Sequence, residues 1–577
     1  MIVLGLSRYH SNSSASIVIN GKILASAEEE RFVRIKNYTG FPVSAINFCL
    51  NYCNLTINNI DIISLNHNPY YNFTAKLAHL VKNFNNYSYK NIFDIIQSKS
   101  STEEILYQFF GLTKKIPIVY VPHHLAHLSS SLLCSGLSEG MGVTIDGSGD
   151  FSTLEIYNIS KNKLKVLYKL NYPYSLGILY QSITQYLGFK KYGDEYKVMG
   201  LAAHGKPKYI SSIKKIVNYK NGKIKLNLEY FLHQFNIKDK NINVAYYKNL
   251  YSAKLVHLLG ASRKTGKPII NRHKDIACSL QVVFEEIILN LIKYYNEKIK
   301  AKSIFLSGGC FFNSLLNMKI IDSNEFKNVV IHPNSGDGGG SLGAALYASR
   351  KYDKKFQNKK FTNVYLGYKD SAKQVKKTLN KYFVSNKKFI YKKFSTNNEL
   401  CKKVSLLLKS NNIIGWHQGR AEYGPRSLGN RSILANPTSS KIKLIINKKI
   451  KAREEFRPFA PSILDKHANE YFNISKNFDY RYMTATTLAK KNKFKKIPAV
   501  LNIDNTARIQ IVKKIDNRKF YNLLNSYYKL TKCPLLLNTS LNIQEPICNS
   551  INDTVSTFIN SGLDALVVEN YLVIRKK

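Results

Sequence analysis

Ile2-Val3-Leu4-Gly5-Leu6-Ser7 opens the chain, followed by the polar turn His10-Ser11-Asn12-Ser13-Ser14, then Ser16-Ile17-Val18-Ile19, Asn20-Gly21 and Lys22-Ile23-Leu24-Ala25-Ser26. Three short apolar runs separated by polar turns predict three consecutive strands, and Asn-Gly is the strongest short hairpin signal. The pattern returns further on. Gly142-Val143-Thr144-Ile145 leads into Asp146-Gly147-Ser148-Gly149-Asp150, then Thr153-Leu154-Glu155-Ile156-Tyr157, a polar turn, and Lys165-Val166-Leu167-Tyr168. Two β-β-β openings, each followed by helices and strands, predict a duplicated α/β lobe pair over 1–355, divided near residue 140.

Outward from these lobes, residues 351–361 are polar and charged without apolar periodicity, which marks a domain boundary. A second α/β domain is expected over 363–577, with a helix over Leu400 to Leu408 and a strand over Ile413 to Trp416. Residues 209–260 have weak periodicity and read as an insertion or helical cap. The duplicated lobe plan is that of the actin/Hsp70-like (ASKHA) and sugar-kinase superfold, with phosphate turns between the first two strands of each lobe. At 577 residues the chain is too long for one ordinary domain. Met1 runs straight into the first strand without a basic leader, and no run reaches the ~18 apolar residues of a membrane span, so a cytoplasmic location is expected. None of the eight cysteines forms a C-x-x-C pair, which speaks against a disulfide framework or zinc ribbon.

The formal net charge of +49 raises nucleic acid as a partner. The lysine excess comes with abundant Asn, Ile, Tyr and Phe, residues with A/T-rich codons, and it is dispersed along the chain. Codon bias is therefore the preferred reading, and no nucleic-acid partner is expected.

The chemistry-bearing motifs begin with His123-His124-Leu125-Ala126-His127. On a helix His123 and His127 share one face and can hold one metal; imidazole suits Fe, Zn, Ni or Cu better than Mg or Ca. Such a pair also occurs on ordinary polar faces. Two acidic glycine turns, Asp146 before Gly147-Ser148-Gly149 and Asp337 before Gly338-Gly339-Gly340, strengthen the metal reading, although each alone is also an ordinary turn. Ser307-Gly308-Gly309-Cys310-Phe311-Phe312-Asn313 reads as a nucleotide loop, with Gly308 and Gly309 admitting an adenosine against bare backbone and Asn313 on the following helix. The most specific stretch runs from Gly415 to Leu434 and includes Gly419-Arg420-Ala421-Glu422-Tyr423-Gly424-Pro425-Arg426 and Gly429-Asn430-Arg431. Lys451-Ala452-Arg453-Glu454-Glu455-Phe456-Arg457-Pro458 follows. Guanidinium groups fixed by Gly and Pro turns bind phosphate or carboxylate bidentately.

With Glu28 to Lys36, Tyr196 to Gly205, Thr506-Ala507-Arg508-Ile509-Gln510 and Leu537 to Asn542, these motifs resemble in order, over nearly the whole chain, the NodU/CmcH O-carbamoyltransferases. That family acts on nodulation factors, cephalosporins and antibiotic sugars. The resemblance implies a TsaD-like N-terminal carbamoyl-transfer domain and a YrdC-like C-terminal domain that makes carbamoyl-adenylate from carbamoyl phosphate and ATP. It implies one Fe(II)-type ion, with Zn or Mn as alternatives, on His123, His127, Asp146 and Asp337, and Mg with the ATP. Arg420, Arg426, Arg431, Arg508, Lys451 and Arg457 would handle phosphate and nucleotide. His10 and Lys36 match positions beside the transfer site, His10 as general base or else a plain turn residue. The acceptor would be a hydroxylated small molecule or sugar; the sequence is compatible with an oligomer.

Departures from the family pattern are also present. The first turn usually reads His-Asp, but Ser11-Asn12 follow His10. Asn37 replaces the His after Arg-x-Lys, Asn502 begins what is usually His-Val-Asp-Gly, and Gln544 replaces Gly before Glu545-Pro546. Two competing readings follow: a tRNA threonylcarbamoylation-type enzyme that uses the basic charge, and a catalytically decayed nucleotide- or glycan-binding protein.

Overall fold

The computed structural model describes residues 1–82, 102–161, 163–235 and 248–576, so residues 236–247 of the weakly periodic stretch lie outside the described residues. Strand Ile2–Ser7 pairs antiparallel with Ser14–Ile19, which pairs antiparallel with Lys22–Glu28. Asn20 and Gly21 both take positive φ, 49° and 74°. This is the backbone a two-residue hairpin turn demands, and it excludes β-branched residues there. On the other edge of Ile2–Ser7, Ile62–Leu65 and then Ile118–Tyr120 add in parallel. Leu4, Leu6, Ile17, Ala25 and Ile63 bury one face of this sheet with Ile46 and Cys49. On Ser14 and Ser16 the hydroxyls each lie 2.8 Å from Ser341 Oγ.

Among the described residues a second sheet repeats the first strand for strand. Gly140–Gly149, Ser152–Ser160 and Lys163–Asn171 are antiparallel neighbours, and Ser303–Ser307 and then Asn328–Ile331 add in parallel to the first of them. Both sheets have the spatial order third, second, first, fourth, fifth. Between the third and fourth strands the second sheet carries helices Leu176–Tyr186, Glu195–Ala202 and the long Asn271–Ile299, together with the hairpin Val217–Lys220 and Lys223–Leu226. The fifth strand of each sheet leads into a helix, His123–Leu132 in one case and Gly340–Tyr352 in the other. These two helices touch backbone to backbone. A Cβ at Gly343 would lie 1.9 Å from the Ala126 carbonyl oxygen, so any larger residue would force them apart.

By internal contact the chain divides into two units, residues 1–313 with 323–361, and 314–322 with 362–577. The sequence reading runs the first domain to 355 without interruption. Helix Ser314–Asp322 instead belongs with the second unit, because Asn317 Nδ2 donates to Thr484 O at 2.7 Å and the Thr486 N–H to Ser314 O at 3.1 Å. The second unit is built on a mixed sheet of eight described strands, in spatial order Phe389–Lys393, Tyr571–Arg575, Ala565–Val568, Ile414–His417, Arg431–Ala435, Leu535–Ser540, Ala460–Leu464 and Gln510–Val512. The helix expected over 400–408 lies inside Asn397–Lys409, which starts at a Thr396 cap whose hydroxyl accepts the Glu399 N–H. No described helix is long and apolar enough to cross a membrane.

Candidate functional site

His123 and His127 stand one turn apart on helix His123–Leu132, each 1% exposed. Asp146 lies in strand Gly140–Gly149 where its pairing breaks after Ile145, and Asp337 begins the turn into helix Gly340–Tyr352. One ligand atom from each of these four residues falls within 4.8 Å of the others. The two Nε2 atoms are 3.0 Å apart, and His127 Nε2 lies 2.9 Å from Asp146 Oδ2 and 3.5 Å from Asp337 Oδ1. Gly149 lets the His123 ring in, since a Cβ there would sit 2.1 Å from the imidazole.

Each carboxylate is anchored by one oxygen and offers the other. Asp146 Oδ1 accepts the Gly147 N–H at 2.7 Å and Asp337 Oδ2 accepts the Ser11 hydroxyl at 2.6 Å. Asp146 Oδ2 and Asp337 Oδ1 are buried and turned toward the two imidazoles. Two imidazoles and two such oxygens fit one divalent transition-metal ion. Burial opposes a charge on His127, but hydrogen bonds and charge from Asp146 and Asp337 outweigh it and push the imidazole up to about 9. Burial alone would raise Asp146, yet His123 and His127 hold it well below the usual carboxylate range. A bound cation would take the place of that proton.

The His10 ring lies beside this set, its centroid 5.0 Å from that of His123. Ser11 shares a second hydrogen bond with Tyr192 OH at 2.8 Å. Lys36 is exposed on the loop after the short helix Glu30–Val33. The next residue, Asn37, donates its side-chain amide to Tyr192 O at 3.0 Å, which ties that loop to Ser11's partner. Two of the departures from the family pattern converge: the Asn12 side chain and the Asn37 N–H both donate to Glu30 Oε2, at 3.2 and 2.8 Å. Gly308 (φ 98°) and Gly309 sit against the Asp146 turn, and a Cβ on Gly309 would be 3.0 Å from Asp146 Oδ1. Asn313 pairs amide to amide with Gln281 at 2.9 and 3.0 Å.

In the second unit, burial and then the neighbouring charges of Arg426 and Arg453 hold the Arg508 guanidinium well below its ordinary value. Arg508 Nε is buried without a partner among the described residues. Arg453 donates to Asn447 Oδ1 at 2.7 Å and lies over the Phe459 ring at 4.7 Å. Cationic groups gathered this way suit phosphate oxygens. The other expected cations differ. Arg420 donates to the carbonyls of Gly367 (3.1 Å) and Leu366, and Arg457 pairs with Glu454 at 3.6 Å. Lys451, 2% exposed, donates to Ser540 O at 2.5 Å, Asn542 O at 2.8 Å and Asn542 Oδ1 at 2.6 Å, and so holds the turn 540–542.

Arg431 requires a correction. Expected to handle nucleotide, it is 0% exposed and its donors meet the carbonyls of Gln418, Gly419, Asn430, Tyr368 and Asn549. It folds the turn and presents nothing to a ligand. Ser11 and Arg453 lie outside the sequence expectation; for Arg453 the signal is its place in the arginine-bearing stretch 451–458, beside Ala452 with φ of 44°.

The family model described as Carbamoyltransferase N-terminus matches residues 2–346, and Carbamoyltransferase C-terminus matches residues 405–575. The chain is 33% identical to nodulation protein NolNO of Sinorhizobium fredii over 99% of this chain and 81% of that one. It is 32% identical to an uncharacterized protein of Synechocystis sp., covering 99% and 96%, and 30% identical to one of Methanocaldococcus jannaschii, covering 100% of both.

Proposed function

The chain belongs to the carbamoyltransferase family, and from that premise we propose that it is an ATP-dependent O-carbamoyltransferase working in two steps. The second unit, as a YrdC-like domain, forms carbamoyl-adenylate. The first, as a TsaD-like domain of the actin/Hsp70-like plan, passes the carbamoyl group to a hydroxyl of a small-molecule or sugar acceptor. The repeated sheet order of the first unit supports that plan.

Atom balance sets the first step. Carbamoyl phosphate loses phosphate to water, the resulting carbamate oxygen attacks the α-phosphorus of ATP, and pyrophosphate leaves. Arg426, Arg453 and Arg508 neutralise phosphoryl oxygens, with Arg457 at hand and Lys451 holding the turn 540–542. In the second step the acceptor oxygen attacks the carbamoyl carbon and the bond to AMP breaks, while the hydroxyl proton passes to a ring nitrogen of His10. Lys36 offers a charge to the substrate at the rim. An Fe(II)-type ion on His123, His127, Asp146 and Asp337 would supply a Lewis acid to this site.

The observation that carries the reading is the separation of chemistries. Clustered arginines suited to phosphate occupy one unit, and a metal-type donor set with an adjacent histidine occupies the other. ATP–pyrophosphate exchange tests it: exchange should require carbamoyl phosphate, and hydroxylated metabolites should gain about 43 daltons, one carbamoyl group. Absence of exchange with carbamoyl phosphate present rejects the reading.

A further inference from the structure

Asp150 stands in the turn that follows strand Gly140–Gly149, and its side chain is 1% exposed. Its Oδ2 accepts the backbone N–H of His123 at 2.8 Å and that of Asn68 at 2.8 Å. Its Oδ1 meets His67 Nδ1. One carboxylate therefore fixes both histidines that flank His10. The His10 ring has His123 on one side and His67 on another, with centroids 5.0 and 6.0 Å away.

The segment bearing His67 is itself pinned. Asn72 Nδ2 donates to Asp150 O at 3.0 Å, Tyr71 OH to Glu155 Oε1 at 3.0 Å, and Lys169 Nζ to Asn72 Oδ1 at 2.8 Å. Residues 67–72 are thus held on the second and third strands of the second sheet and on the turn that precedes them, although they follow a strand of the first. A histidine needed only for packing there would be replaced by an apolar ring at lower desolvation cost. A polar ring fixed by a buried carboxylate and facing another imidazole is what positioning a reactive group requires.

We infer that His67, held by Asp150, is a positioning residue that keeps the His10 imidazole directed at the acceptor hydroxyl. This rests on the proposed role of His10. A misplacement of about 1 Å at such a group lowers turnover on the order of 100-fold.

The test uses the full chain with its metal, with water as the probe acceptor. Three quantities are read: metal bound per chain, ATP–pyrophosphate exchange, and the kcat and KM of AMP release. His67→Asn keeps a donor to Asp150 but removes the ring; His67→Phe keeps a ring but removes that donor. Both variants should bind metal and exchange pyrophosphate as wild type, while kcat for AMP release falls about 10- to 100-fold at unchanged KM for ATP. If His67→Asn releases AMP at the wild-type rate, the ring has no role and the inference fails. If AMP release falls only in proportion to lost metal, His67 is a support for the His123 helix and the inference also fails. Wild-type protein without carbamoyl phosphate-dependent exchange would overturn the enzymatic reading itself, and this inference with it.

Discussion

The Ser11 hydroxyl donates to Asp337 Oδ2 at 2.6 Å, joining the turn after the first strand to the turn before the last helix of the first unit. The serine orients Asp337 without adding a negative charge beside it. Partners that orient a ligand in this way typically account for 10- to 100-fold in metal affinity. Ser11→Ala should therefore weaken binding by about 10-fold, read by competition with a chelator. An unchanged affinity would show the contact to be incidental.

Asp337→Ala removes one of the four converging donors. The purified variant should retain little metal by elemental analysis and modify no acceptor, while its ATP–pyrophosphate exchange stays at the wild-type rate. Loss of exchange in a folded Asp337→Ala protein would contradict the division of labour between the two units.

Arg508 is held among like charges, so replacing it should stabilise the fold while removing function. Arg508→Met should raise stability by about 1 kcal/mol and abolish pyrophosphate exchange. Added pyrophosphate should raise the melting temperature of wild type through binding linkage and leave the variant unmoved. A variant that is both less stable and still protected by pyrophosphate would remove Arg508 from the anion site.

Arg431 makes the opposite case. Its guanidinium is saturated by backbone carbonyls, and a lysine cannot reproduce that planar fork. Arg431→Lys should lower stability by about 2–4 kcal/mol and reduce activity only as far as it reduces folded protein. Full stability with lost exchange would restore Arg431 to the ligand site.

His417 gives a pH signature. Burial first, then the charge of Arg431, pushes its imidazole down to about 4, against the opposing pull of Asp370. Its Nδ1 lies 2.7 Å from Thr554 Oγ1. The folded value is depressed, so its contribution is present above the unfolded value of about 6.5 and is lost as pH falls toward about 4. Across that window the unfolded chain binds a proton the folded one refuses, at a slope of ~1.4 kcal/mol per pH unit. Denaturation of His417→Asn between pH 7 and 4 should be flatter by about this one-proton slope; parallel curves would refute the assignment.

The opening strands, the Asn20-Gly21 hairpin and the recurrence near 142 were legible because strand periodicity and turn chemistry are local. The His123/His127 pair was legible because helical spacing alone puts both on one face. The arginines were not separable in this way. Arg426 and Arg431 lie five residues apart on the same Gly-Pro turn, yet one approaches Arg508 and the other is walled in by carbonyls. In an irregular loop no period links sequence position to direction. Asp150 was visible only as a turn residue, since its partners His67 and Asn68 lie 82 or more positions away in the chain.

The repeated strand order has one more consequence. His10 follows the first strand of the first sheet and Asp146 stands where the pairing of the first strand of the second breaks; His123 follows the fifth strand of the first sheet and Asp337 follows the fifth of the second. The four positions are therefore two pairs of structural equivalents, arranged about the line where helices His123–Leu132 and Gly340–Tyr352 touch. Because both halves lie in a single chain, corresponding turns carry different side chains, an imidazole at His10 and a carboxylate at Asp146, which two identical halves could not do.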